Sequence, residues 1–239
     1  MSALVVVYLA FIAVLTAIGI PWEFVGIIAL GMAAFQYFGS DRLVLRSVGA
    51  KVVTPEEEPW LHSTVDRLVA QAEIPKPRIA VAHIDVPNAF ATGRNPKNSV
   101  ICVTDGIRTR LNDDELEAVL GHELTHIKNR DVTVMTLASF FATVAAMLMQ
   151  MLMWMSIFGG MGGMGGRGRG GGGGAAAAFM LAYVASVLVY FLATLLILAL
   201  SRYREYGADR GGAILIGAPS RLASALTKIT GTIARIPTQ

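Results

Sequence analysis

Charge is scarce in this 239-residue chain. Asp, Glu, Lys and Arg make up only 15% of it, while residues of the AVILMFWYC set reach 54%. Soluble globular chains carry about 25% charge, and a core of this size cannot hide so much apolar surface. The composition therefore predicts a membrane protein, and a mean hydropathy of +0.56 agrees. A disordered chain is excluded, because disorder needs low hydrophobicity and high net charge. Cysteine is almost absent: Cys102 stands alone, which excludes an internal disulfide framework and fits a reducing compartment. No Lys or Arg precedes the first apolar run, and no small-residue cleavage site precedes the second, so a spanning segment is favoured over a signal peptide.

Charge-free runs mark four expected spans. Residues 2–22 and 24–40 are separated only by Glu23. At 1.5 Å per residue both can cross a hydrocarbon layer about 30 Å thick, which predicts a transmembrane hairpin over 2–40. Residues 132–158 and 175–201 are the third and fourth. Between them, 159–174 is mostly glycine and reads as a flexible outer loop. It lacks the preceding strand and terminal Lys-Ser/Thr of a phosphate cradle. Of the 20 Lys and Arg residues, twelve lie in 41–131 and six in 202–239. The positive-inside rule then places both termini, the 41–131 insert and the 202–239 tail in the cytoplasm of a multi-pass membrane protein. The insert holds fourteen acids against its twelve bases, so the overall net charge of +3 is topological and no nucleic-acid partner is expected.

Within the insert, Pro55 opens a helical pattern through about Gln71. Residues 77–85 read as a strand with Ile79 and Val81 on one face. Another strand covers 99–104, with Asp105-Gly106 as its turn. Asn112 caps a helix whose apolar stripe is Leu116, Leu120, Leu124 and Ile127. Pro219 to Thr230 reads as a further helix. His62 and His83 read as packed or surface residues, and Cys102 as a buried structural thiol.

The chemistry sits on the Asn112-capped helix, in His122-Glu-Leu-Thr-His126. The histidines are one helical turn apart, so both imidazoles leave one face and can hold one tetrahedral zinc ion. Glu123 lies about 100° round the helix, placed to act on a water rather than to ligate. A catalytic zinc needs a third protein ligand and an open position. Outside the insert the acids are Glu23, on the predicted outer turn, and Glu205 and Asp209, four residues apart beyond the fourth span. The last two could pair with Arg202 and Arg204 on a solvated face. The need for a third ligand favours a ligand with an orienting acid.

Three ordered stretches carry a resemblance: Asn88-Ala-Phe-Ala-Thr-Gly93, His122-Glu-Leu-Thr-His126 with Asn129-Arg-Asp131, and Ser201-Arg-Tyr-Arg-Glu-Tyr-Gly-Ala-Asp209. Together they resemble the HtpX-type membrane zinc metallopeptidases, relatives of the CAAX prenyl endopeptidases, over nearly the whole chain. The resemblance implies a mainly α membrane protein with four transmembrane helices and a cytoplasmic α+β zincin-like domain. It implies a gluzincin-like metalloendopeptidase with one zinc per chain, held by His122, His126 and Glu205. Glu123 would be the general base, and Asp209 would orient a ligating imidazole. Asn88, Ala89, Phe90 and Ala91 would lie on an edge strand that pairs with the substrate backbone, although turn composition after Pro87 also fits an ordinary loop. The implied substrates are misfolded or damaged membrane proteins, cut at the cytoplasmic face in protein quality control. Family members usually end with a His-Pro-containing segment, which is not found after the Pro219–Thr230 helix. On that feature alone rests the alternative of a zinc-binding membrane adaptor that does not cut. A channel or transporter finds no support, because no span contains an internal ionisable residue.

Overall fold

The computed structural model describes residues 42–162 and 172–233, together with Ile27, Gly31 and Ala34. The expected hairpin over 2–40 lies almost wholly outside the described residues. The chain divides into two compact units, 35–134 with 201–239 and 135–200 with 1–34.

The first unit contains a four-stranded sheet in the order β1-β2-β4-β3, with β1 Lys51–Val52, β2 Arg78–Ala82, β3 Ala89–Thr92 and β4 Val100–Thr104. Strands β2 and β4 pair in parallel, with Ile79 opposite Ile101, whereas β1 and β3 are antiparallel edges. Alternation divides the buried side chains between the two faces. Ile79, Val81, Ile101 and Val103 join the main core with Leu61, Val65 and Leu68 of helix α1, Pro59–Ala72. Leu116, Leu120 and Leu124 of helix α3, Asp113–Lys128, complete it. Each fully buried aliphatic side chain here contributes about 1.5–3 kcal/mol. Ala80, Ala82, Val100 and Cys102 fill the opposite face with Phe90 and Leu45. Burial alone pushes the Cys102 thiol up to about 11, as suits a structural thiol.

Local chemistry moves several expected boundaries. Helix α1 starts at Pro59, not Pro55, because Glu57 accepts a hydrogen bond from the Thr54 N–H (2.8 Å) and Glu58 pairs with Arg108 (2.7 Å). Strand β2 stops at Ala82, which leaves His83 exposed beyond it and paired with Asp105. Asp105-Gly106 is no hairpin turn. Thr104 Oγ1 accepts from the Ile107 N–H and caps a short helix α2, Asp105–Arg108. His62 is buried with Nε2 3.1 Å from the Val53 carbonyl.

Two long helices follow, α4 Asp131–Gly162 and α5 Gly172–Ile216. Among the described residues, one stretch is by itself long and apolar enough to cross a membrane: Met180–Ile216, with mean hydropathy 2.5 in its most apolar window. Helix α4 meets that test only jointly with α3, across the break between them. Of the four expected spans, the fourth thus has a clear candidate in the described chain, and the first two fall almost wholly outside it.

Helix α6, Pro219–Ile233, docks on α3 through a buried carboxylate. Glu115 caps α3 reciprocally with Asn112, and it also accepts from Ser224 Oγ and Lys228 Nζ, both at 2.7 Å. Those donors, Lys228 first, hold the Glu115 carboxyl down at about 2. A depressed carboxylate stabilises the fold fully above its ordinary value near 4.5, and this contribution is lost as pH falls towards 2. We expect Lys228→Met to cost about 1.5–3 kcal/mol at pH 7. Thermal melts of variant and parent should converge as the pH approaches 2; a gap that stays constant would assign the loss to packing instead.

Candidate metal and catalytic site

Helix α3 is positioned before its chemistry begins. Asn112 Oδ1 accepts from the Glu115 N–H at 2.9 Å, and Glu115 Oε2 accepts from the Asn112 N–H at 3.1 Å. That capping box satisfies two orphan donors of the first turn. The apolar stripe then turns Leu116, Leu120 and Leu124 into the core. The opposite requirement, a close approach by α5, is met by glycines. A Cβ on Gly212 would lie 2.9 Å from the His122 backbone nitrogen, and one on Gly211 would run into Thr125 Cγ2. A Cβ on Gly121 would meet Ile216 at 3.0 Å. Missing side chains on both helices therefore let the backbones meet at this crossing.

The crossing brings Glu205 and Asp209 over the two histidines. His122 Nε2 and His126 Nε2 are 3.2 Å apart, and Glu205 Oε2 lies 3.5 Å from the first and 3.7 Å from the second. Ligands about 2.0–2.1 Å from a tetrahedral zinc are separated by roughly 3.3 Å, so this triangle suits that ion. Two nitrogens and one oxygen also form a borderline donor set appropriate to it. Both histidines are buried, whereas the Glu205 and Asp209 side chains are 54% and 49% exposed. The three-donor cluster therefore opens to solvent on the α5 side.

Each imidazole has its own acid. Asp209 Oδ1 lies 3.0 Å from His122 Nδ1, and Asp131 Oδ2 takes a 2.6 Å hydrogen bond from His126 Nδ1. The sequence alone points to Asp209 but assigns no role to Asp131, although Asp131 lies in the Asn129-Arg-Asp131 stretch that carries the resemblance. Burial, and then the neighbouring His126, pushes the His122 imidazole below its ordinary value against the pull of Asp209 and Glu205. A neutral imidazole is the ligating form.

Glu123 points elsewhere, as its 100° offset predicts. Its Oε2 accepts a 2.8 Å hydrogen bond from the Ala91 N–H, and burial pushes its carboxyl up to about 8 against that bond. Strand β3 thus lies beside the prospective base. Asn88 accepts through its carbonyl from the Thr104 N–H, so in antiparallel alternation Phe90 and Thr92 also face β4. Ala89 then directs both its backbone groups, and Ala91 its carbonyl, to the free edge, while the Ala91 N–H is held by Glu123. Phe90 packs with the cluster on the sheet face opposite α3. Asn88, just before the strand, holds its start in register.

Residues 55–235 match the model of peptidase family M48. The chain belongs to that family. It is 53% identical to "Protease HtpX homolog" of Moorella thermoacetica, over 100% of this chain and 77% of that protein. It is 48% identical to "Protease HtpX homolog 2" of Methanosarcina acetivorans, over 100% and 78%. These similarities make it an HtpX-type member of the M48 metallopeptidases. The crystal structure of S. mikatae Ste24p shares the fold, with a TM-score of 0.58 at 18% identity, covering 95% of this chain and 55% of that one.

Proposed function

We propose that this M48 member is a membrane-embedded zinc endopeptidase that cuts membrane proteins next to the bilayer, at its cytoplasmic face. The observation carrying the proposal is the convergence of His122, His126 and Glu205 with Glu123 and the free edge of β3 beside them. His122, His126 and Glu205 would hold one zinc per chain. When bound, zinc supplies an electrophile for the scissile carbonyl and lowers the pKa of its water towards 7. The chain does the rest. Ala89 through both its backbone groups, and Ala91 through its carbonyl, pair with an extended substrate backbone by strand addition. Glu123 accepts a proton from the attacking water at Oε1, since Oε2 is engaged by Ala91, and returns it to the leaving nitrogen. Asp209 holds the His122 ring in orientation.

In this reading residues 41–131 form the zincin-like catalytic insert, and 202–239 form a cytoplasmic tail bearing the third ligand. Four spans cover 2–40, 132–158 and 175–201, with 159–174 as an outer loop. Tyr203 and Tyr206, 76% and 70% exposed directly after Ser201, suit the membrane–water interface where aromatic residues collect. Glu205 lies between them, so substrates meet the site at headgroup depth, in juxtamembrane segments of damaged or misfolded membrane proteins. The non-cutting adaptor gains no support from a site in which base, ligands and substrate edge stand together.

Turnover of a model membrane protein in liposomes tests the proposal. Hydrolysis should stop with chelator and return with zinc, and mass spectrometry should place the new termini in loops within a few residues of span ends. Chelator-insensitive cleavage would dispose of the metal reading, and cuts at span centres would dispose of the proposed depth.

A further inference from the structure

Asp131 is the first residue of α4, where an acid favours a helix N-terminus through the macrodipole. That role explains an exposed acid. It does not explain a carboxylate only 4% exposed, with Oδ2 at 2.6 Å from His126 Nδ1 and at 3.4 Å from Arg204 Nε. Burying a charge is costly unless it is paired and hydrogen-bonded, and here both partners belong to the site. The contact with Arg204 is an ion pair rather than a directed hydrogen bond, since Arg204 Nε is buried without one. Backbone geometry serves the same arrangement. Arg130 adopts φ = +56° between α3 and α4, a left-handed conformation that residues with a Cβ disfavour. The turn it makes brings Asp131 back to a histidine only five residues earlier.

We propose that Asp131 and Arg204 form a positioning pair that prepares the metal site from two helices; the inference rests on the zinc reading above. By accepting the Nδ1 proton, Asp131 keeps His126 in the tautomer whose Nε2 lone pair faces His122 and Glu205. Arg204 neutralises the buried carboxylate. Being adjacent to Glu205, it also fixes the third ligand's stretch of α5 against the residue that orients the second ligand. His122 has Asp209 of α5 3.0 Å from its Nδ1 and both rings face Glu205, so this link gives His126 a further tie to that helix.

The test measures metal binding, not turnover. Metal-free parent, Asp131→Asn, Asp131→Glu, Arg204→Gln and the Asp131→Asn/Arg204→Gln double variant are titrated with Zn2+ against a chromophoric chelator. Visible spectra are recorded with Co2+, and melting of the metal-free proteins controls for folding. Asp131→Asn should weaken zinc 10- to 100-fold, the usual cost of losing a partner behind a ligating histidine, and alter the Co2+ spectrum. Asp131→Glu should recover part of the affinity. Arg204→Gln should weaken binding less, and the double variant should lose less than the two single losses combined, because the residues act through one contact. Parent affinity and spectrum in Asp131→Asn would overturn the pair while leaving the zinc site standing. Should Asp131→Asn fail to fold, unchanged affinity in Arg204→Gln overturns it equally. A parent protein that takes up no stoichiometric zinc sinks the pair and the zinc reading together.

Discussion

Glu123→Gln is expected to retain zinc and lose 10²–10⁴-fold in kcat, the usual contribution of a positioned general base. Glutamine matches glutamate in size, and its carbonyl can still accept the Ala91 N–H that now meets Glu123 Oε2. The edge strand and the helix therefore keep their contact, and the loss isolates the proton transfer. His122, His126 and Glu205 are untouched, so metal content should equal that of the parent. A pH profile adds a second reading. Burial sets the Glu123 carboxyl at about 8 in the metal-free protein. A cation held by the adjacent histidines favours the carboxylate and draws that value down. A base works only when deprotonated, so kcat/KM in the parent should fall as pH drops through this lowered value. The residual activity of the glutamine variant should lack that limb. Comparable kcat in the two proteins would remove Glu123 from the mechanism.

Features set by short-range chemistry were legible in the sequence. The Asn112–Glu115 box and the leucine stripe announce α3, and the spacing of His122 and His126 announces two imidazoles on one face. The edge strand was readable at Ala89–Thr92 because its neighbours form a resemblance motif. Long-range consequences were not. Asp131 reads as the last polar residue before an apolar run, and nothing local says that Arg130 turns it back onto His126. Asp209 was expected behind an unspecified histidine; its place at His122 depends on where α5 crosses α3. The crossing itself was hidden, since Gly211-Gly212 looks in sequence like a weak point in a helical tail. Its meaning appears only with the His122 backbone and Thr125 opposite. The short helix after Thr104 was missed because Asp-Gly is a strong turn signal, and the Thr104 cap outweighs it.

Gly212→Val should do as much harm as removing a ligand, without touching one. A Cβ at this position would sit 2.9 Å from the His122 nitrogen and 3.0 Å from its Cα. Those atoms belong to a helix backbone and cannot swing aside as a flexible side chain would. Valine adds two more carbons, so α5 must move away from α3. Overpacking of this kind costs about 1–3 kcal/mol of stability, which the domain can survive. The site should not survive it. Glu205 and Asp209 ride on α5, seven and three residues before Gly212, while His122 and His126 ride on α3, so separation of the two helices stretches every contact between them. A misplacement of about 1 Å is enough for a 10²-fold loss of rate, and loss of the Glu205 contact should weaken zinc as well. Gly207→Ala is the control. It lies on the same helix two residues beyond Glu205, but its added Cβ would meet nothing nearer than Asn129 Nδ2 at 3.9 Å. Alanine is also the better helix former by about 1 kcal/mol, so this variant should melt no lower than the parent and keep its metal. The decisive comparison is zinc affinity in the two variants, measured beside their melting temperatures. If Gly212→Val binds zinc as Gly207→Ala does, helix proximity is not what assembles the site, and the third ligand must be sought elsewhere.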